Sequence, residues 1–189
     1  GNHMNTKNNR QYREAARDME QAMLELMNTM PLKKITVCRI CSRAGVNRST
    51  FYAHYSDIYH MIDQMENNLR RELMNEYPVP GMVRPFSVES FLPFLRFIRE
   101  HKDFYKIALG TRREFPIEQG FEPLWKQVIR PMFKKAGIHS ESEMMFYFVG
   151  FQASFTMILK RWVDQGCEER EERMAQILHS TVPSVWGIS

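Results

Sequence analysis

The sequence predicts an all-α protein of about nine helices: an N-terminal three-helix unit containing a helix-turn-helix, then a larger helical domain. Three observations predict it. Apolar residues recur at spacings of three and four along most of the 189 residues, the period of a helix with one buried face. Glycine, proline and hydroxyl or amide caps punctuate those stretches. Between Thr36 and Tyr55 two short helical patterns meet at a glycine corner, in the only strongly basic part of the chain.

Composition sets the frame. With 43% hydrophobic and 25% charged residues the chain is an ordinary globular one, long enough for a real core. Fourteen Met and thirteen Phe are many for this length, and both types fill irregular apolar space. Three Cys without a secretory segment fit reduced thiols, so the expected location is cytoplasmic. No apolar run approaches a membrane span, and no membrane partner is expected.

The elements follow in order. Gly1, Asn2 and His3 before Met4 read as an expression remnant, and residues 1–9 as that remnant plus a disordered arm. Residues 10–57 form the first domain. Tyr12, Ala15, Ala16, Met19, Ala22, Met23, Leu26, Met27 and Met30 make the apolar stripe of its first helix, which Pro31 stops. Thr36 caps the second helix, on which Val37, Ile40, Cys41 and Ala44 share a face. Gly45 supplies the left-handed corner and Val46 plugs it. Asn47 caps the third helix, Arg48 to Tyr55, with Phe51 and Tyr55 inward and Arg48, Ser49, Thr50, Tyr52 and His54 outward.

An outward face of Arg, Ser, Thr, Tyr and His packs poorly but suits hydrogen bonding to phosphates and base edges in a DNA major groove. Charge agrees. Pro31 to Ser56 holds Lys33, Lys34, Arg39, Arg43 and Arg48 and no acid, so with a net charge of +4 the remainder of the chain sums to −1. The positive charge is local, as a footprint on duplex DNA should be.

Residues 58–189 form the second domain. Ser56 or Asp57 caps a helix from Ile58 to about Tyr77, placed to join the two domains. Pro78–Pro85 is the clearest breaker cluster. Ser87 or Ser90 opens the next helix, Lys102–Leu109 is a short one, and Phe121–Lys135 is helical with a kink or break at Pro131. Ser140 caps Glu141–Asp164, with Glu143 at capping-box spacing. That helix is apolar on more than one face and must bury two sides; one can face its own domain and the other a second copy. Glu168 to Leu178 is a last, charged helix, Cys167 an ordinary surface thiol, and Val182–Ser189 a tail. Phe94, Phe97, Phe104, Trp125, Phe148, Phe151, Gln152 and Phe155 are candidates to line an apolar ligand cavity, with plain core as the equal alternative.

The segments Ile35-Thr36-Val37, Ala44-Gly45-Val46 and Asn47-Arg48-Ser49-Thr50-Phe51-Tyr52-Ala53-His54-Tyr55 resemble the DNA-binding domain of TetR-family transcription regulators. The resemblance is dense over about the first third of the chain. It implies a regulator, with repression the expected sign, that binds a double-stranded DNA operator and an unknown small-molecule effector. It implies a homodimer through the helices near 141–164 and 168–178. Arg48, Ser49 and Tyr52 become base-side candidates and Thr36, Thr50 and His54 phosphate contacts, with Arg39 and Asn47 set beside them. The family usually has a Lys where this chain has Ile58, which predicts a shallower salt dependence.

Two other readings compete. Cys38, Cys41, His54 and His60 satisfy zinc-finger spacing, but the Cys pair sits in a helical pattern and a helix start falls between the two His. A helical enzyme is the other, yet no phosphate loop, nucleophile elbow or His-Glu-x-x-His motif occurs. No catalytic residue, metal or cofactor is therefore expected.

Overall fold

The computed structural model describes residues 2–76, 84–111 and 125–187. Among them are nine α-helices and no strand, as the sequence predicts. They are α1 (Asn2–Met27), α2 (Val37–Ala44), α3 (Arg48–His54), α4 (Ile58–Glu76), α5 (Val88–Glu100), α6 (Lys102–Thr111), α7 (Arg130–Lys135), α8 (Glu141–Asp164) and α9 (Glu171–Ser180). The chain divides into two compact units, 1–66 and 67–189, so the division falls inside α4 rather than at the expected boundary of 57/58.

The first unit packs α1 on α2 and α3. Its core is Met19, Met23, Leu26, Ile35, Ile40, Phe51, Met61 and Ile62, all nearly inaccessible. One expectation is corrected here. The arm expected to be disordered within residues 1–9 is helical: α1 starts at Asn2 and runs unbroken. That stretch holds no Gly or Pro, and Arg10 pairs with Glu14 one turn later, so nothing stops the packed half of the helix from propagating backward.

In the second unit α5 packs on α9, and α6 on α8. Ser87 and Ser140 cap α5 and α8 as expected, accepting from the Ser90 and Glu143 amides. A π-helical turn, Trp125–Ile129, precedes α7 and places Pro131 in that helix's first turn, where its missing N–H costs nothing. Two further corrections belong to this unit. Residues 182–187 are no free tail: Trp186 is buried against Phe86, Phe133 and Phe151. Cys167 is buried, not a surface thiol. A local turn follows α8, where the Cys167 amide donates back to the Trp162 carbonyl at 2.8 Å and folds the side chain inward.

Candidate nucleic-acid interface

The corner between α2 and α3 is built by local chemistry. Thr36 has an extended backbone, and its hydroxyl oxygen accepts from the Arg39 amide at 3.2 Å, closing the start of α2. Gly45 follows in the left-handed region at φ 69°. Its amide and that of Val46 both return to the Cys41 carbonyl. Nothing lies within 4 Å of where a Cβ would sit, so glycine is required by the backbone angle and not by crowding.

Asn47 then opens α3. Its side-chain oxygen accepts three hydrogen bonds: from the Thr50 amide at 2.9 Å, the Thr50 hydroxyl at 2.9 Å and the Ser49 hydroxyl at 2.6 Å. Phe51 and Tyr55 are buried against the core, as their spacing predicts. Burial pushes the Tyr55 hydroxyl well above its ordinary pKa, and its partner Glu20 adds to the rise.

What α3 shows to solvent is Arg48, Ser49 and Tyr52, with Thr50 half-buried. Tyr52 is 49% exposed, and the Arg48 guanidinium stands 5.9 Å from its ring centroid. That contact holds an otherwise floppy cation over the aromatic face. Arg39, Lys33 and Lys34 are exposed on the neighbouring elements.

Two residues stand differently from their sequence reading. The His54 ring nitrogens lie 2.9 Å from the Thr50 carbonyl and 2.8 Å from the Tyr12 carbonyl, and the ring stacks on Tyr12 at 3.7 Å. With both nitrogens engaged by its own chain, His54 ties α1 to the end of α3 and offers no free donor to a phosphate. Arg43 pairs with Glu25 of α1, which leaves Lys33, Lys34, Arg39 and Arg48 as the part of the basic surface with no acidic partner among the described residues. Arg43 in turn holds the Glu25 carboxyl below its ordinary pKa. Tyr12 was legible only as an apolar stripe position. Its hydroxyl donates to the Ala53 carbonyl at 3.3 Å, a link made across 41 residues.

The zinc constellation is not assembled. His60 accepts the Ser56 amide on one nitrogen and meets Gln64 on the other, and His54 is engaged as above. Among the described residues no three His, Cys, Asp or Glu are grouped to hold a metal ion. No described helix is long and apolar enough to cross a membrane.

The ligand-cavity candidates fall in the second unit. Phe97, Phe104, Trp125, Phe148, Phe151 and Gln152 are buried, and Phe94 and Phe155 are half-buried. Ring contacts of 5.1 to 5.6 Å link Phe94 to Phe155, Phe155 to Phe151, and Trp125 to Phe148. Phe133 and Trp186, the second of which sequence reasoning left out, join the two groups: Phe151 meets Trp186, Trp186 meets Phe133, and Phe133 meets Trp125. Phe97 lies apart, beside His101. The Gln152 side-chain oxygen and the Trp186 indole N–H are buried without a hydrogen-bond partner among the described residues.

Among the described residues the protein is all-helical, with a capped, basic helix-turn-helix and a separate aromatic-rich unit, a layout suited to a transcriptional regulator. The comparisons agree. The TetR family model for a transcriptional regulator C-terminal region matches residues 88–184, just over half of the chain. The protein therefore belongs to the TetR family of transcriptional regulators. A solved structure, the dihydroxyacetone kinase operon activator DhaS, is similar over 92% of this chain and 97% of that one, with a TM-score of 0.55 and 21% identity. At that identity the likeness concerns the fold. No curated protein matches in sequence.

Proposed function

We propose that this regulator binds operator DNA through α2 and α3 as a homodimer, and that a small apolar effector held in the second unit controls the binding. The observation that carries the reading is the α3 surface: Arg48 and Tyr52 presented outward from a doubly capped corner, on a stretch with no acid of its own. Arg48, Ser49 and Tyr52 are assigned to base edges, Thr36 and Arg39 to phosphates. Asn47 and His54 act through the others, as cap and tie.

Dimerisation is supported by α8. Met145, Phe146, Tyr147, Val149 and Met157 are exposed along it, Phe146 at 79%, with Gly150 and Ser154 between them to permit close approach. A twofold pair gives the two reading helices their half-site spacing on DNA. By contrast, α9 spends its apolar residues Met174, Ala175 and Leu178 inside its own unit and would add only a polar rim. The effector reading rests on the aromatic cluster and its two unpartnered polar atoms. In this reading α4, whose residues divide between the units, carries the effector's influence to the DNA unit.

We assign the repressor sign, because an occupied operator excludes polymerase sterically with no further contact. DhaS, similar in fold, is by its name an activator, so a reporter assay decides the sign. The deciding experiment for the whole reading is retardation of the DNA upstream of the gene across a salt series. Saturable binding that weakens steeply with salt and favours this DNA over scrambled duplex is expected. Equal binding to both duplexes would refute it.

A further inference from the structure

Two thiols sit in the reading unit, and nothing argued above uses them. Cys38 is exposed and Cys41 buried, three residues apart on α2. In an α-helix that spacing puts the Cα atoms about 5 Å apart, inside the roughly 4.4–6.8 Å that a disulfide bridges. Cα–Cβ bonds tilt toward the helix N-terminus, so the Cys41 side chain leans back over the turn that carries Cys38. Closing the remaining gap between the Cβ atoms means loosening the first turn of α2. Cys38 is the second residue of that helix, whose start is held by the Thr36 cap.

Cys41 is also the pivot of the corner. Its carbonyl accepts the amides of Gly45 and Val46, and its thiol donates to the Asn47 carbonyl at 3.7 Å. That same carbonyl accepts the Phe51 amide, the first hydrogen bond of α3. Burial raises the Cys41 pKa, with Cys38 adding to the rise, so the thiol keeps its proton and its place. Pulling its sulfur toward Cys38 takes a core side chain out from under α3.

We infer that Cys38 and Cys41 form a dithiol oxidation site, closed by a hydroperoxide into an intrahelical disulfide that uncouples the α2–α3 corner. The Cys38 sulfur attacks the peroxide, forming an S–O bond and breaking O–O, with the alcohol or water leaving. The Cys41 sulfur then attacks Cys38, forming S–S and breaking S–O. The departing hydroxide takes the Cys41 proton as water. Two thiols and one hydroperoxide thus become one disulfide, one alcohol (water, where the oxidant is hydrogen peroxide) and one water, and the peroxide is reduced. The chemistry stands on α2 alone, and its consequence rests on the DNA-reading assignment above.

The test uses the full chain carrying Cys167→Ser, treated with hydrogen peroxide and then dithiothreitol. Intact mass should fall by two hydrogens, and a peptide linking residues 38 and 41 should appear. Operator binding should weaken roughly tenfold, about the effect of losing one helix cap, and dithiothreitol should restore it. Adding the exposed Cys38→Ser change should abolish the cross-link and leave DNA binding insensitive to peroxide. Oxygen adducts without a 38–41 link overturn the inference, as does a disulfide form that binds DNA as the reduced form does. So does an undiminished peroxide response in the Cys38→Ser chain. If the reduced protein does not select its upstream DNA, the functional reading fails instead. The melting temperature of the N-terminal unit then decides the inference: it must fall on oxidation and recover on reduction, and an unchanged midpoint overturns it.

Discussion

Replacing Asn47 separates what α3 needs to exist from what its proposed reading of DNA needs. Alanine removes one oxygen, and with it the acceptor for the Thr50 amide and for the hydroxyls of Thr50 and Ser49. The hydroxyls are near solvent and re-bond to water at little cost. The amide loses its cap, worth about 1 kcal/mol. Because α3 has seven residues, it has no reserve of internal hydrogen bonds with which to absorb that loss. In a unit of 66 residues, a loss of about 1 kcal/mol lowers the midpoint by roughly 4–8 °C. The three tryptophans, at 125, 162 and 186, all lie in the second unit. Far-UV circular dichroism should therefore show an early transition in Asn47→Ala that tryptophan fluorescence does not. Asn47→Asp is the control. It caps as well as Asn, so the midpoint should hold, while a new negative charge on the DNA-facing surface should weaken binding. An Asn47→Ala protein that melts and binds like the parent would refute this account of the corner, and so would an Asn47→Asp protein that binds as tightly as the parent.

Further outcomes are expected elsewhere. Arg48→Ala should weaken operator binding by about 1–3 kcal/mol and relax base preference at one position, as read by binding to a panel of single-base operator variants. Gly45→Ala should cost about 1–2 kcal/mol of unit stability in a thermal melt, all of it from the left-handed backbone, since the added methyl meets nothing. Phe146→Asp should halve the mass in sedimentation without changing the circular dichroism of the monomer, because the ring is exposed on α8. Tyr105 is buried and its pKa pushed up to about 12, chiefly by desolvation. The folded protein therefore holds that proton more tightly than the unfolded chain does. The stability this confers is complete below about pH 10 and is lost as pH rises toward 12. Tyr105→Phe should flatten that alkaline limb in a urea titration.

Features fixed within a few residues were legible in the sequence. Thr36, Gly45 and Asn47 were readable because a cap or a left-handed turn is settled by the residue itself and the next three. The inward placement of Phe51 and Tyr55 followed from helical spacing alone. What sequence hid was contact across distance. The partners of His54 and Arg43 lie 42 and 18 residues earlier, on α1. Trp186 looked like a stray aromatic in a polar terminus because Phe86, Phe133 and Phe151, which bury it, are far away in the chain. The membership of the aromatic cluster was partly legible for the same reason: composition shows that many rings must pack, not which ones meet.

The fork at Asn47 has a bearing on sequence preference. While their hydrogens stay turned toward that amide, Ser49 and Thr50 have only lone pairs left to offer a partner. Phosphate oxygens and the guanine edge repel such a surface, whereas the exocyclic amino groups of adenine and cytosine complement it. If Ser49 meets a base edge as proposed, its preference would be set in part by an internal bond made before any duplex arrives.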